Sequence, residues 1–408
     1  MTDFEYRKSI DDVIYLCSCA VNGTAPEKER VDSLDLDSIY EFSQKHMLAS
    51  MVGTVLKGAG ISSNSFSNAI ALAQRKVVIL NNDIKNVTAA LDAAGIWYMA
   101  LKGAVLKDLY PRFDMREMAD CDILFDKTRN ADVKALMEGF GFETKSFRKS
   151  NDDDYFKPPV SHFEMHRLLF GDHHDKKLYE YYKHVKNRLL KDPENEYGYH
   201  FSPEDFYVFM IAHEYKHYNI GGTGLRSLLD TFVYLQNTTL DMEYVASEID
   251  KLGISEYEQQ NRNLAMALFS DGELSEENQA MLDYIIESGT FGTTEHSVQN
   301  RLQKNGDGKL RYIKRRIFGP DKDDQDRKQF ERRYATFFKY PILRPFLPFY
   351  RFIRGNEDQS EKNTFRSQRT RKSREDDVLK PAFFPKVLCR ITCVGEHGLT
   401  TRSRKEPS

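Results

Sequence analysis

The chain of 408 residues has few cysteines and no long apolar run. Its five cysteines are odd in number and widely scattered, and they lack the C-x2-C pairs of a structural zinc site: Cys17, Cys19, Cys121, Cys389 and Cys393. This spacing indicates neither a disulfide scaffold nor a zinc ribbon. No segment approaches the roughly 18 apolar residues of a membrane span. Because the first residues are charged and polar, we expect a cytoplasmic protein without stable membrane insertion.

Net charge is also small, at -3. This balance does not predict wholesale nucleic-acid binding. The charge is unevenly distributed, because residues 355–408 carry twelve Lys or Arg against eight Asp or Glu. The first part of this segment is polar, with few apolar residues and no periodicity, so we expect 355–408 to be a basic and mostly disordered tail.

No internal repeat of 20 to 50 residues is visible, which argues against a solenoid. The length instead favours two or three folding units. Before Gly95, apolar residues recur at steps of three and four, for example Ala73, Val77, Leu80 and Ile84. This pattern predicts an N-terminal helical region over residues 1–94.

The pattern then changes to short strands and returns to helices. Strand-like runs lie at 96–101, 120–125 and 160–166, which predicts a mixed α/β core over residues 95–200. From Ser202, a capping serine followed by a proline opens a second helical region, predicted over 201–354. The expected class is therefore α+β, with a small mixed sheet between two helical regions.

The segment Asp120-Cys121-Asp122 carries the strongest chemical signal. Alternate side chains of a strand share a face, so Asp120 and Asp122 project together while Cys121 points the other way. Glu164 lies on another strand-like run, on the same face as His162 and His166. Carboxylates brought together in this way are ordinarily neutralised by a hard divalent cation. We expect two Mg²⁺ ions here, which Mn²⁺ could replace. A pair of such ions is typical of enzymes that catalyse phosphoryl or nucleotidyl transfer.

Several residues are candidates for phosphate binding. Lys102 and Gly103 form a turn before a helical stretch, where a glycine lets the backbone approach a ligand. Arg116 and Arg226 are further candidates for phosphate contacts. Arg226 and Asp230 are four residues apart on a predicted helix, so we expect them to pair.

The order of glycine turn, helix, D-x-D strand and carboxylate strand resembles the nucleotidyltransferase superfamily typified by DNA polymerase beta. The chain is most similar to the bacterial group of uncharacterised nucleotidyltransferase family proteins, and the similarity covers most of 82–354. The matching segments are LKGAVLKDLY (101–110), REMADCDILF (116–125), FEMHRLL (163–169), SPEDFYVFMIAHEYKH (202–217) and GLRSLLD (224–230).

This resemblance implies a Mg²⁺-dependent nucleotidyltransferase that uses an NTP donor and an acceptor that the sequence does not identify. It implies that Asp120 and Asp122 bind both ions, that Glu164 completes one site and acts as or near the general base, and that Gly103 lies by the triphosphate. The chain departs from the superfamily in having Ala104 after Gly103, where Ser or Gly is usual. The alternative is a catalytically silent nucleotide-binding module.

A rival motif lies at residues 213–217, where His213, Glu214 and His217 fit the H-E-x-x-H pattern of zinc peptidases. Such a site needs a third protein ligand. Glu256 and Asp230 are candidates, but nothing in the sequence favours either of them. The favoured interpretation is that these histidines line the cleft against the α/β core.

Overall fold

The computed structural model describes residues 3–171, 175–270, 272–290, 327, 330–331 and 334–350. The chain divides into two compact units, Met1–Tyr312 and Ile313–Ser408. The predicted tail, 355–408, lies outside the described residues. The predicted domain limits at residues 94, 200 and 354 stay predictions.

The N-terminal part of the first unit is helical, as the apolar spacing predicts. Its helices are α1 (Asp3–Asn22), α2 (Lys28–Asp32), α3 (Leu36–Lys45), α4 (Ala49–Gly58) and α5 (Asn64–Ala93). Asp35 caps α3, because its side chain accepts from the backbone N–H groups of Asp37 and Ser38. Along α5, the buried residues Phe66, Ile70, Ala73 and Val77 recur at helical spacing and form one apolar stripe.

A five-stranded mixed sheet follows, which confirms the α+β class. Its strands are β1 (Tyr98–Ala100), β2 (Cys121–Phe125), β3 (Glu143–Ser146), β4 (Asp152–Lys157) and β5 (Ser161–His166). The spatial order is β1-β2-β5-β4-β3, in which only β2 and β5 run parallel. The short helix α6 (Gly103–Leu106) follows β1, and α7 (Asn130–Gly139) follows β2.

Three of these five strands are predicted from the sequence, and β3 and β4 are not. The segment that forms β4 begins with three consecutive aspartates, a residue type that is depleted in strands. After β5 come α8 (Lys176–Tyr182) and a small separate sheet of β6 (Leu190–Lys191) and β7 (Tyr199–His200).

The helical pattern after residue 201 is confirmed. The helices are α9 (Pro203–Ile220), α10 (Leu225–Asn237), α11 (Met242–Leu252), α12 (Ser255–Phe269) and α13 (Glu276–Ser288). Ser202 caps α9 by accepting from the N–H of Asp205 at 3.1 Å, and Ser275 caps α13 through the N–H of Asn278 at 3.2 Å.

Two apolar clusters fill the first unit. One lies between α5, α7 and one face of the sheet, and it includes Cys121, Ile123, Phe163 and Met165. The larger one joins residues of α1, α3 and α4 with residues of α9 to α13, so the helices before and after the sheet share a core. The opposite face of the sheet carries Met99 and Leu124 of the larger cluster together with polar side chains.

In the second unit, the described residues form a short helix, α14 (Ala335–Lys339), followed by a 3-10 turn (Pro341–Phe346). Leu347 is buried. Among the helices that the structure describes in either unit, none combines the length and apolar character needed to cross a membrane.

Candidate metal and nucleotide site

The candidate site is centred on the parallel pair of strands β2 and β5. Asp122 of β2 lies directly opposite Glu164 of β5, and His166 follows two residues later on the same face. One ligand atom of each of these three side chains lies within 4.8 Å of the others. Among the described residues, these three form the one group of three or more potential metal ligands.

Strand alternation explains why these residues share a face. Cys121 and Ile123 point into the apolar cluster against α5 and α7, as do Phe163 and Met165 of the neighbouring strand. The residues between them must face the other way. The prediction that Cys121 points away from Asp122 therefore agrees with the burial of its side chain in that cluster.

Asp122 is held by an ammonium group and an imidazole ring. Its Oδ2 lies 3.5 Å from Nζ of Lys102, and its Oδ1 lies 2.9 Å from Nε2 of His166. Burial acts to raise the pKa of Asp122, but Lys102 and the hydrogen bond from His166 outweigh it and hold that pKa well below its usual range. Burial also acts to lower the pKa of His166, but the bond to Asp122 raises it overall. Asp122 is therefore a firmly ionised carboxylate.

Glu164 has the opposite character. Burial, followed by the charges of Asp122 and Asp120, raises its pKa to about 7, although the nearby His166 acts to lower it. Asp120 immediately precedes β2 and is half-buried. It therefore contributes to the potential around Glu164 but lies outside the group of three ligands.

Lys102 and Gly103 form the turn between β1 and α6. Lys102 has a φ of +29°, which is unusual for a residue with a side chain. A Cβ atom at position 103 would lie 2.9 Å from Nη1 of Arg116, so the glycine leaves room for that guanidinium group. The structure thus places the predicted glycine beside the guanidinium group of Arg116.

Arg116 and Arg226 make bonds within the protein. Arg116 binds both carboxylate oxygens of Asp230, each at 2.7 Å, and the two side chains are buried. Tyr110 donates to the same carboxylate at 2.7 Å. Arg226 donates to the carbonyl of Glu117 at 2.6 Å. Asp230 therefore binds Arg116 and Tyr110, where the sequence predicted a pair with Arg226.

The H-E-x-x-H residues lie on α9. Nε2 of His213 lies 2.7 Å from Nζ of Lys102 and 3.1 Å from Nε2 of His217, so the histidines face the sheet as expected. Glu214 is buried and lies on another side of the helix, within 3.5 Å of the amide of Asn261 on α12. In the part of the chain that is described, neither histidine belongs to a group of three potential metal ligands.

The sequence interpretation missed several polar residues of this face. Asp152 and Asp154 of β4 lie opposite His166 and Glu164, respectively. Asp154 lies 2.6 Å from His162, and this hydrogen bond raises the pKa of His162. The alternation of aspartates at 152 and 154 was the available signal, but the strand that carries them was not recognised.

Lys216 is a further residue that the sequence interpretation did not place in the site. It lies on α9, and burial, together with the charge of Lys102, lowers its pKa to about 8. Asp122, Asp152 and Glu164 act in the opposite direction on the same pKa. Lys216 therefore belongs to the electrostatic environment of the carboxylates.

A family model described as an uncharacterised nucleotidyltransferase matches residues 32–270. No curated protein and no solved structure matches the chain. The matched segment spans more than half of the chain and contains all five strands of the large sheet and all of α9. On this match, the chain belongs to that uncharacterised nucleotidyltransferase family.

Proposed function

We propose that this protein transfers a nucleoside monophosphate from an NTP to an acceptor, in a Mg²⁺-dependent reaction that releases pyrophosphate. The observation that carries the proposal is the convergence of Asp122, Glu164 and His166 on neighbouring parallel strands, in a chain that belongs to a nucleotidyltransferase family. The reaction is placed in the cytoplasm, and the acceptor is left open.

The donor set fits a divalent cation. Two carboxylates provide the oxygen ligands that Mg²⁺ prefers, and the imidazole of His166 is a ligand that Mn²⁺ accepts more readily than Mg²⁺. Asp120, which directly precedes Asp122, would contribute to a second ion. Ions bound here would neutralise charge on the phosphates of the donor.

In the transfer step, Glu164 and Asp122 have different roles. An acceptor oxygen attacks the α-phosphorus, the new P–O bond forms, and the bond to the oxygen that bridges to the β-phosphate breaks, so that pyrophosphate leaves. The proton of the acceptor passes to Glu164, which lies directly opposite Asp122 on the neighbouring strand. Asp122 stays ionised throughout, because Lys102 and His166 stabilise its charge.

The predicted phosphate contacts are revised within this proposal. Lys102 and Gly103 are assigned to the triphosphate, since the Lys102 ammonium lies 3.5 Å from Asp122. To contact a phosphate, Arg116 would have to break its hydrogen bonds to Asp230. Arg226 would have to break its hydrogen bond to the carbonyl of Glu117. We therefore assign both arginines to holding the segment that leads into β2.

The test combines ligand-induced stabilisation with product release. The thermal midpoint is measured for wild type and Asp122→Asn against each NTP with Mg²⁺, and each shift is referred to the variant's own midpoint. A ligand at one hundred times its Kd stabilises by about 2.7 kcal/mol. We expect one NTP to stabilise wild type and to lose this effect in Asp122→Asn.

The matched control is Asp132→Asn, because Asp132 is an exposed residue of α7, the helix that packs on the other side of the sheet. It should respond to the NTP as wild type does. Equal stabilisation of Asp122→Asn and wild type would refute the assigned metal site. The position of Asp120 outside the group of three ligands favours one alternative, the silent module. NTP binding without pyrophosphate release over a panel of acceptors would support it.

A further inference from the structure

Three strongly exposed apolar side chains lie close together in the sequence of the second unit. Ile342 is 81% exposed, Phe349 is 67% exposed and Phe346 is 62% exposed. Soluble proteins commonly expose single apolar residues, but several of them within one short segment mark a contact with another surface. Residues 339–350 therefore form a candidate interaction surface.

The exposed residues form the outer side of a segment whose inner side is packed. They recur at steps of four and three, through the 3-10 turn and the helical residues that follow it. Leu347, which lies between them in sequence, is buried. The ring of Phe337 on α14 contacts the ring of Tyr350 at 5.0 Å between centroids. The segment thus packs through one side and exposes the other.

Positive charge accompanies this apolar surface. Residues 332–356 contain six Lys or Arg and no Asp or Glu. Two of these cations, Lys339 and Arg344, are exposed. The Lys339 ammonium lies 5.6 Å from the ring centroid of Tyr340, and the Arg344 guanidinium lies 5.2 Å from that of Phe338. The surface therefore combines exposed apolar side chains with a positive charge that no neighbouring acidic residue in the sequence balances.

We propose that the surface formed by residues 339–350 binds the face of a lipid bilayer that contains anionic lipids. Aromatic and aliphatic side chains enter the boundary between headgroups and acyl chains, while Lys and Arg attract the anionic headgroups. The contact is peripheral, because the segment lies on the bilayer and does not span it. This inference goes beyond the proposed function, and neither depends on the other.

The exposed aliphatic side chain favours lipid over nucleic acid as the occupant. A single-stranded nucleic acid also binds surfaces that combine aromatic rings with cations, because its bases stack on the rings. The most exposed of the three apolar residues, however, is Ile342. An aliphatic side chain cannot stack on a base as a ring does, but it partitions readily into the acyl region of a bilayer.

The experiment measures co-sedimentation of the full chain with lipid vesicles. One set of vesicles contains equal parts of phosphatidylglycerol and phosphatidylcholine, and the other set contains phosphatidylcholine alone. We expect binding to the mixed vesicles and at least about tenfold weaker binding to phosphatidylcholine, because several cations lose their attraction to the surface. Added salt should weaken binding to the mixed vesicles, since it screens that attraction.

Substitutions within the surface test both of its components. Ile342→Ser and Phe346→Ser should each weaken binding to the mixed vesicles about tenfold, because an apolar side chain no longer enters the bilayer. Ile342→Leu should bind as wild type does. Lys339→Gln and Arg344→Gln should each weaken binding about fivefold. Since these four side chains are exposed, the thermal midpoint of each variant should equal that of wild type.

Matched controls lie in the first unit. Leu72 is 52% exposed on α5, so Leu72→Ser removes an exposed aliphatic side chain elsewhere. Lys57 is an exposed lysine of α4, so Lys57→Gln removes one positive charge elsewhere. Both controls should bind the mixed vesicles as wild type does. A loss of binding in Leu72→Ser equal to that in Ile342→Ser would overturn the assignment to residues 339–350.

Three further results would overturn the inference. The first is an absence of binding to the mixed vesicles. The second is binding that persists unchanged in Ile342→Ser and Phe346→Ser, which would assign it to another part of the chain, such as the basic segment 355–408. The third is a dimer that Phe346→Ser dissociates while wild type does not bind vesicles, which would make the surface a contact between two copies of the chain.

Discussion

The two faces of the five-stranded sheet use the same backbone for different purposes. On one face, Phe163 and Met165 are fully buried against α5 and α7. On the other face, Asp122, Glu164 and His166 form a charged group. The difference shows that alternate residues of one strand serve different purposes, because those on one face form the core and those on the other face form the candidate site. Substitutions on the apolar face should act on folding, whereas substitutions on the polar face should act on binding and should affect folding only where a buried charge loses its partner.

The strongest test of the apolar face is Phe163→Ala. Its ring is fully buried and makes an edge contact with Phe142 at 5.1 Å between centroids. Removing it should lower the free energy of unfolding by about 3 to 5 kcal/mol, because a cavity replaces the ring. Chemical denaturation measures this loss, and Phe163→Leu should recover most of it. A loss below about 1 kcal/mol would contradict the assignment of this face to the core.

The polar face should show two opposite responses. Asp122→Asn should lower the free energy of unfolding by about 2 to 3 kcal/mol, because the Lys102 ammonium and the His166 ring lose their anionic partner. Glu164→Gln should not destabilise the protein, because ionised Glu164 is repelled by Asp122 and Asp120. Both values come from urea denaturation with a chelator present. A greater loss of stability in Glu164→Gln than in Asp122→Asn would contradict the assignment of Asp122 as the paired carboxylate and Glu164 as the repelled one.

A buried histidine of the helical core extends the comparison to pH. His46 is completely buried, its Nδ1 accepts the N–H of Leu225 at 3.1 Å, and burial lowers its pKa to about 3. In the unfolded chain, its pKa is about 6.5. Its contribution to stability is therefore full above pH 6.5 and is lost as the pH falls toward 3.

Between pH 7 and pH 5, His46 alone should lower the free energy of unfolding by about 2 kcal/mol. The measurement is the difference between wild type and His46→Gln at each pH, which removes the contribution of all other groups. The wild-type curve should fall more steeply than that of the variant. Parallel curves would show that His46 is not held neutral by its surroundings.

The smallest effect is expected at Asp154, one of two adjacent aspartates of β4 that face opposite sides. Asp154 is partly exposed and pairs with His162, so Asp154→Asn should change the free energy of unfolding by less than about 1 kcal/mol. Asp153 is fully buried and bonds with Asn130 and the N–H of Arg148. Asp153→Asn should cost more than Asp154→Asn in the same denaturation experiment. The reverse order would contradict the register of β4.

Local signals in the sequence predicted much of the fold. The cap at Ser202, at the start of a helical region, predicted α9, because such a signal acts within a few residues. Strand β4 was missed, since its aspartates are poor strand formers and its place in the sheet depends on pairing with β3 and β5. Long-range pairing overrode local preference there.

The candidate site divides in the same way. The alternation of side chains along β2 and β5 was sufficient to predict that Asp122 and Cys121 face different sides of the sheet. It also predicted that Glu164 and His166 share one side. It was not sufficient to show that His166, rather than Asp120, completes the group of three ligands. Nor did it show that Asp230 binds Arg116, which is 114 residues away in sequence.

The sequence by itself determined which side chains of each strand and helix share a face, because that follows from the repeat of the backbone. It thereby grouped Asp120 with Asp122 and Glu164 with His166, in the segments that also carry the family resemblance. Only the tertiary structure decided the parallel register of Asp122 with Glu164 and the approach of Lys102 to His213. Those contacts join distant segments, and the packing of the whole core fixes their distances.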